Sequence, residues 1–444
     1  MTTRIISREE AAARSRHPTG RAVVRPVPPR FYVLFAITVI LSLTGLLMVL
    51  SASSVKALHD AKLGTPWFYF NRQALWLVIG FVALLVCLKI DYHRWRRFIP
   101  LMLLGTIALL LAVLKIGVTV NGAKAWLDLG GPFRIQPSEI LKLTLLLYSA
   151  DLLARRADRM AEPRQTMVPV LIMFGLTGGL VMAQQDLGTA LVIGGIVLSV
   201  LYFAGAPFIP FVTVSGAFTA LGVAFMLSTP YRRSRWLTFL HPNDDPLNTG
   251  MQTIQSMYAI ASGGITGVGL GASRAKWGFL PEAHTDFIFA IIAEELGLVG
   301  CLMIVVLFGC FAVLGIKASL SAPDRFGMLL AGGVTAWIMI QALINLGAVV
   351  GLLPITGLPL PFVSFGGASL IVLLAATGML LNVARQGKVP VMPAEPYGTF
   401  NKSNGTPPTK GARPARALRV APSPANGTKA TRAGARSPRR PQGR

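Results

Sequence analysis

Ten apolar runs, each close to the roughly 20 residues a helix needs to cross a bilayer, fall at about 31–53, 73–90, 98–118, 138–154, 167–183, 188–205, 207–228, 286–316, 327–350 and 363–384. That feature leaves the chain little freedom. In hydrocarbon every backbone N–H and C=O has to be satisfied within its own segment or around a closed barrel. Long runs without alternation meet that demand as helices. The chain therefore reads as all-α: a polytopic membrane protein of about ten transmembrane helices, with a large extracytoplasmic loop, 229–285, between helices 7 and 8. Only 14% of the 444 residues are charged, against roughly 25% in soluble domains.

The charge that remains is concentrated and basic, with a formal net of +24. It crowds a Pro-rich arm (1–30), a Pro/Gly/Ala/Lys/Arg tail (386–444) and a few short loops. Neither end can bury a core, so both are expected to be disordered. No basic stripe interleaved with aromatics is present, so nucleic acid is not an expected partner. The arm, Arg94, Arg96 and Arg97, then Arg155, Arg156 and Arg159, the 317–325 loop and the tail all fall on one side of an even-numbered topology. The positive-inside rule makes that side cytoplasmic, with both termini inside. The first run follows a polar arm and is long enough to span, so it is expected to stay as an anchor. A polybasic tail beside a membrane suits anionic membrane lipids or an acidic partner. Cys87, Cys301 and Cys310 lie in apolar runs with no metal or disulfide spacing.

Chemistry is expected where polar residues stand at the outer ends of spans. Asp286 sits where the polar stretch from Pro281 turns into the eighth run. An ionisable group at that depth marks a site by default, although Asp or Thr285 could equally cap the helix. His284 reads as a proton shuttle or a packed loop histidine. Glu294 needs a buried partner, for which Lys142 is one option. A second island runs Asn121-Gly122-Ala123-Lys124-Ala125-Trp126, then Phe133 to Glu139. In it Ser138 reads as a cap, Glu139 and Lys142 can pair at i, i+3, and Trp126 can belong to an interfacial belt. Asp186 reads as a turn residue or a second outward carboxylate. Ser364 to Ser369 form a small-residue stretch before the last run. Arg232, Arg233, Arg235, Arg274 and Lys276 put positive charge in the outer loop, either solvated or gathered for an anionic headgroup.

In this order, the islands Asn121–Trp126, Phe133–Glu139, Asp186-Leu187-Gly188, Gly250–Ser256, Pro281–Phe289, Gln341 to Asn345 and Ser364–Ser369 resemble the SEDS family of peptidoglycan glycosyltransferases, over about 31–385. The Glu282–Phe287 form is more similar to the family's division branch, and the long basic ends to its actinobacterial members. Gln185 departs from the pattern, where many relatives carry Pro. The resemblance implies polymerisation of lipid II at the plasma membrane of the division septum, together with a class B penicillin-binding protein transpeptidase and other divisome proteins.

On that resemblance Asp286 is the essential carboxylate, taking the proton of the acceptor 4-hydroxyl in one inverting displacement. Substrate-binding roles are expected for Trp126, Lys124, Glu139, Lys142, Asp186, Arg232, Arg233, Arg235, Lys276, His284, Ser364 and Ser369. No cofactor is required by the sequence; a divalent cation, Mg or Mn, is compatible with pyrophosphate departure. The other readings are a lipid II flippase, an ion-coupled transporter and a non-catalytic scaffold that recruits a transpeptidase. A transporter would show paired interrupted helices near the midplane, which the sequence lacks.

Overall fold

The structure, a computed structural model, describes residues 27–59, 65–120, 122–128, 130, 134–228, 233, 239, 241–246 and 250–387. Most of the arm, the tail beyond 387, and Arg232 and Arg235 lie outside the described residues. Each expected span is a helix: α1 (Pro29–His59), α2 (Phe68–Lys89), a single turn α3 (Tyr92–Trp95), α4 (Ile99–Ile116), α5 (Pro137–Arg155), α6 (Pro163–Ala183), α7 (Leu187–Ala204) and α8 (Phe208–Leu227). After a short outer-loop helix α9 (Met251–Gly263) come α10 (Ile288–Leu320), α11 (Arg325–Val349) and α12 (Ala368–Gln386).

Among the described residues nine helices are apolar and long enough to cross a membrane. The tenth expected span, α5, has 19 residues, about 28 Å at 1.5 Å each. It is too polar to qualify by composition because it carries Glu139, Lys142 and Asp151. It can do so because it sits inside the bundle, buried along almost its whole length against α4, α7, α11 and α12. At the opposite extreme, α8 leans on α7 and has no buried residue, as suits a helix surrounded by lipid.

Loops of like parity gather at one end of the bundle. There Arg96 Nε donates to Asp151 at 2.5 Å, the Tyr92 hydroxyl donates to Asp324, and Asn382 Nδ2 donates to the carbonyls of Leu88 and Ile90 at 2.6 and 3.0 Å. Asp324 also caps α11 through the Phe326 amide at 3.1 Å. At the other end a three-stranded antiparallel sheet, absent from the all-helical expectation, joins α4 to α5: β1 (Val118–Val120), β2 (Ala123–Asp128) and β3 (Arg134–Ile135). β-Branched Val118, Thr119 and Val120 favour it, and Gly122 at φ 84° turns the hairpin.

The eighth span differs from the expected continuous helix. α10 is broken at Gly297, whose φ of 65° and ψ of −162° leave the helical region. A break at membrane depth strands backbone groups, which must find partners. The segment after α9 supplies them. Val268 and Gly269 amides donate to the Glu294 and Glu295 carbonyls at 3.0 and 3.1 Å, and the Leu298 and Val299 amides donate to Gly264 and Ile265 carbonyls at 3.0 and 3.2 Å. A Cβ on Gly263 would lie 1.9 Å from the Ala293 carbonyl oxygen, so glycine is what lets the two backbones come this close.

Candidate active site

Asp286 lies in the turn 281–287, half-buried, two residues before α10 begins. Phe287 holds the cap position of that helix and makes no side-chain cap bond, so Asp286 stands one residue before the cap. The side-chain amide of Asn345, on α11, donates to the Asp286 carbonyl at 2.7 Å and to the Leu358 carbonyl at 2.8 Å. Asp286 opens onto a crevice of about 190 Å³ walled by Phe287, Asn345, Ala348, Val349 and the strip 355–358. Gly357, at φ 72°, belongs to that wall: a Cβ there would come within 3.7 Å of Asp286 Oδ2. Asp286 is the one carboxylate lining the crevice among the described residues.

The islands converge on this strip. A Cβ at Gly188 would meet the Thr356 carbonyl at 2.7 Å, so the Asp186-Leu187-Gly188 turn packs directly against the crevice wall. Asp186 caps α7 by accepting from the Thr189 amide at 3.0 Å, and its other oxygen accepts from Gln136 Nε2 at 2.8 Å. That bond joins the second island to the third. Gln185 stands at φ 65°, which a proline ring excludes, so this turn differs in conformation from one with Pro at that position. Beyond the strip is a second hollow of about 280 Å³, walled by 359–362, Glu139, Gln341, Ser364 and Ser369. Consecutive stretches of one strip, 355–358 and 359–362, thus line the two hollows, and Glu139, Ser364 and Ser369 line the second.

Lys142 is fully buried, donating to Glu139 Oε1 at 2.8 Å and to Gln341 Oε1 at 3.1 Å, with the Trp337 ring 5.7 Å away. The expected i, i+3 pair is therefore formed, and the alternative pairing of Lys142 with Glu294 is not. Glu294 accepts from Ser273 Oγ at 2.5 Å and from the Arg274 amide at 2.8 Å. Its neighbour Glu295 accepts from Ser51 Oγ at 2.6 Å and pairs with Lys276 at 3.3 Å. Lys276 also donates to the Gly271 carbonyl at 2.6 Å and is buried, so its charge is engaged inside the fold, tying the 271–277 turn to α1 and α10. Lys124 donates to the Leu114 carbonyl at 2.8 Å and that of Lys115 at 3.1 Å, a cation at the negative end of α4. Trp126 is half-buried on β2, while Arg274 and Arg233 are exposed. Ser138 is not the cap of α5: Gln136 holds that position and Ser138 Oγ is buried without a partner. Ser364 Oγ accepts from the Leu360 amide at 2.8 Å and Ser369 Oγ donates to the Gly366 carbonyl at 2.7 Å.

His284 packs between Tyr69 and Phe365, with ring centroids 4.7 and 5.8 Å away. Burial, and then the Lys56 ammonium, push its pKa down from 6.5 to about 4, against the opposing pull of Glu282. It is therefore neutral at physiological pH. Glu282, at φ 54°, accepts from Thr285 Oγ1 at 3.0 Å and lies 3.6 Å from Lys56. The depressed value sets the sign of a pH effect. Between 6.5 and about 4 the unfolded chain binds the His284 proton and the folded chain does not, so stability is full above 6.5 and declines toward pH 4. The loss is at most about 3 kcal/mol. Melting curves of wild type and His284→Phe across that window check it: the variant's slope is expected to be shallower.

The sequence reading left Gln341 and Asn345 without roles. They stand four apart on α11, and both amides donate to strip carbonyls, Gln341 Nε2 to Pro359 at 2.9 Å. Two amides at i, i+4 in an apolar span was the available signal. Among the described residues no three His, Cys, Asp or Glu come together as a metal site. A divalent cation at Asp286 would take its remaining ligands from carbonyls, water and phosphate oxygens, as Mg²⁺ commonly does.

Comparison with known proteins gives the family. The family model described as "Cell cycle protein", of FtsW, RodA and SpoVE, matches residues 32–389. The stage V sporulation protein E of Bacillus subtilis is 41% identical over 357 residues, 80% of this chain and 97% of that one. A probable peptidoglycan glycosyltransferase FtsW of Mycobacterium tuberculosis is 38% identical over 376 residues, 84% of this chain and 71% of its own. Among solved structures, a chain from a peptidoglycan synthase complex that coordinates polymerization and crosslinking superposes with a TM-score of 0.64 at 30% identity, covering 80% of this chain and 96% of that chain. The rod shape determining protein RodA of Thermus thermophilus gives 0.59 at 28%, covering 79% and 95%. The chain therefore belongs to the FtsW, RodA and SpoVE family of polytopic membrane proteins, the SEDS proteins its islands resemble.

Proposed function

We propose that this protein is a peptidoglycan glycosyltransferase that polymerises lipid II in septal cell-wall synthesis, with Asp286 as general base. The observation that carries the reading is the crevice itself: one carboxylate among the described residues, just before α10, with Asn345 in its wall and the Asp186-Leu187-Gly188 turn packed behind it. The acceptor 4-hydroxyl gives its proton to Asp286 as its oxygen bonds to the donor's anomeric carbon. The bond from that carbon to the pyrophosphate breaks, and undecaprenyl pyrophosphate leaves with the electron pair. One base suffices because the leaving group is already good. Cations aimed at the growing phosphate charge stabilise this transition state. Arg274 and Arg233 face solvent and serve here, with Arg232 and Arg235 beside them in sequence, while Lys124 and Lys276 act by holding the fold. Glu139, Ser364 and Ser369 contribute to lipid II binding from the second hollow, Lys142 by holding the Glu139 carboxylate from behind, and Trp126 and Asp186 from the outer rim.

The charge pattern supports a plasma-membrane location with both termini cytoplasmic and this site outside. A class B penicillin-binding protein is the proposed partner, as the synthase complex that couples polymerization to crosslinking suggests. Purified full-length protein with its cognate transpeptidase is expected to convert lipid II into glycan strands. Proteoliposomes in which labelled lipid II crosses the bilayer while no strand forms would instead favour a flippase.

A further inference from the structure

We infer that Asn345 is a positioning residue for the transfer reaction, acting by holding the Asp286 backbone against the crevice wall; this rests on the glycosyltransferase reading with Asp286 as base. Three separate stretches meet at its side chain. Asp286 arrives from the turn before α10, Leu358 from the strip 355–362, and Asn345 from α11. Both Nδ2 hydrogens are committed, at 2.7 Å to the Asp286 carbonyl and at 2.8 Å to the Leu358 carbonyl. The amide is 2% exposed, so water does not replace either bond. Two carbonyl oxygens can be satisfied by the NH₂ side of the amide only, which fixes its orientation.

The remaining atom shows what the residue is kept for. Asn345 Oδ1 is buried with no hydrogen-bond partner. Buried polar atoms are nearly always paired, and an unpaired one is tolerated where another demand wins. With no protein partner on Oδ1, the two donated bonds alone orient the amide. Asp286 itself lies in the turn 281–287 before the helix, which Glu282 enters at φ 54°, so its carbonyl is placed by the bond from Asn345. A base displaced by about 1 Å can lose about 100-fold in rate, which makes the clamp matter for turnover more than for binding.

The test is steady-state polymerisation of lipid II by the intact complex with its transpeptidase, comparing wild type with N345S, N345A and N345D, each with a melting curve. Donor number orders the expected kcat: wild type, then Ser with one donor, then Ala, with Asp no better than Ala because a carboxylate would face two carbonyls. Ala is expected to lose about 10–100-fold in kcat with KM within about threefold. A role in filling space alone instead puts N345D beside wild type, since Asp matches Asn in size. N345D close to wild type overturns the inference, and so does a loss that only tracks the fraction of folded complex. If N345D does not assemble, N345T against N345V decides, two side chains of near-equal volume with and without a hydroxyl donor: equal rates overturn the inference and a faster Thr variant supports it. Asp286→Asn is run alongside. Full activity there overturns the base assignment, whereas an inactive Asp286→Asn with unimpaired Asn345 variants overturns this inference alone.

Discussion

Lys142→Met is expected to destabilise the fold by about 3–5 kcal/mol, the range for removing one partner of a buried ion pair. Lys142 is 0% exposed and its pair with Glu139 spans 2.8 Å, with Glu139 itself 4% exposed. Without the ammonium, the Glu139 carboxylate loses its donor inside the bundle, while Gln341 Oε1 keeps only the Trp337 Nε1–H at 3.1 Å. Met preserves most of the volume, so the loss isolates the charge. Removing both ions together, as Lys142→Met with Glu139→Leu, is expected to recover most of the stability, since an apolar replacement of a whole buried pair is often neutral. Thermal unfolding in detergent checks both. A single variant as stable as wild type would show that the pair does not hold α5 in place. The double variant separates stability from function: it should fold yet remain impaired in polymerisation, because Glu139 lines the second hollow.

Asp286→Asn carries the largest expected effect on activity, about 10²–10⁴-fold, the usual contribution of a general base. Asn has the same shape and can still line the crevice, but it cannot accept a proton. The Asp286 backbone is held through its carbonyl by Asn345, and the substitution leaves that bond in place. Assembly with the transpeptidase and thermal stability are therefore expected to be unchanged, which separates this variant from Lys142→Met.

The spans were legible because hydrocarbon imposes one rule on every backbone group, and the rule is written in run length. Even α5, the most polar span, is legible as a less apolar run at about 138–154. The break at Gly297 was not legible, because a lone glycine inside an apolar run is compatible with an intact helix. Only the segment from Gly263 to Gly269, brought alongside by tertiary packing, makes the break affordable. The partner of Glu294 was misjudged for a related reason. Lys142 is a long-range option on charge alone, but Glu139, one turn away, already satisfies it, and the partners of Glu294 are the Ser273 hydroxyl and backbone amides of a turn that no charge pattern reveals. The cations show the same limit. Lys124, Lys276, Arg274 and Arg233 look alike as residue types, yet two are engaged with internal carbonyls and a carboxylate, and two face solvent. The site's islands were visible as polar interruptions. Their convergence on the strip 355–362 was not, since Gly357 and Thr356 carry no chemistry of their own.

The central claim is that one carboxylate at the end of α10 drives glycan polymerisation. Its most direct test is strand formation from purified lipid II by the assembled complex, wild type against Asp286→Asn at equal folded protein. The account predicts long glycan chains from the first and essentially none from the second. Chains at a near-normal rate from Asp286→Asn would contradict it.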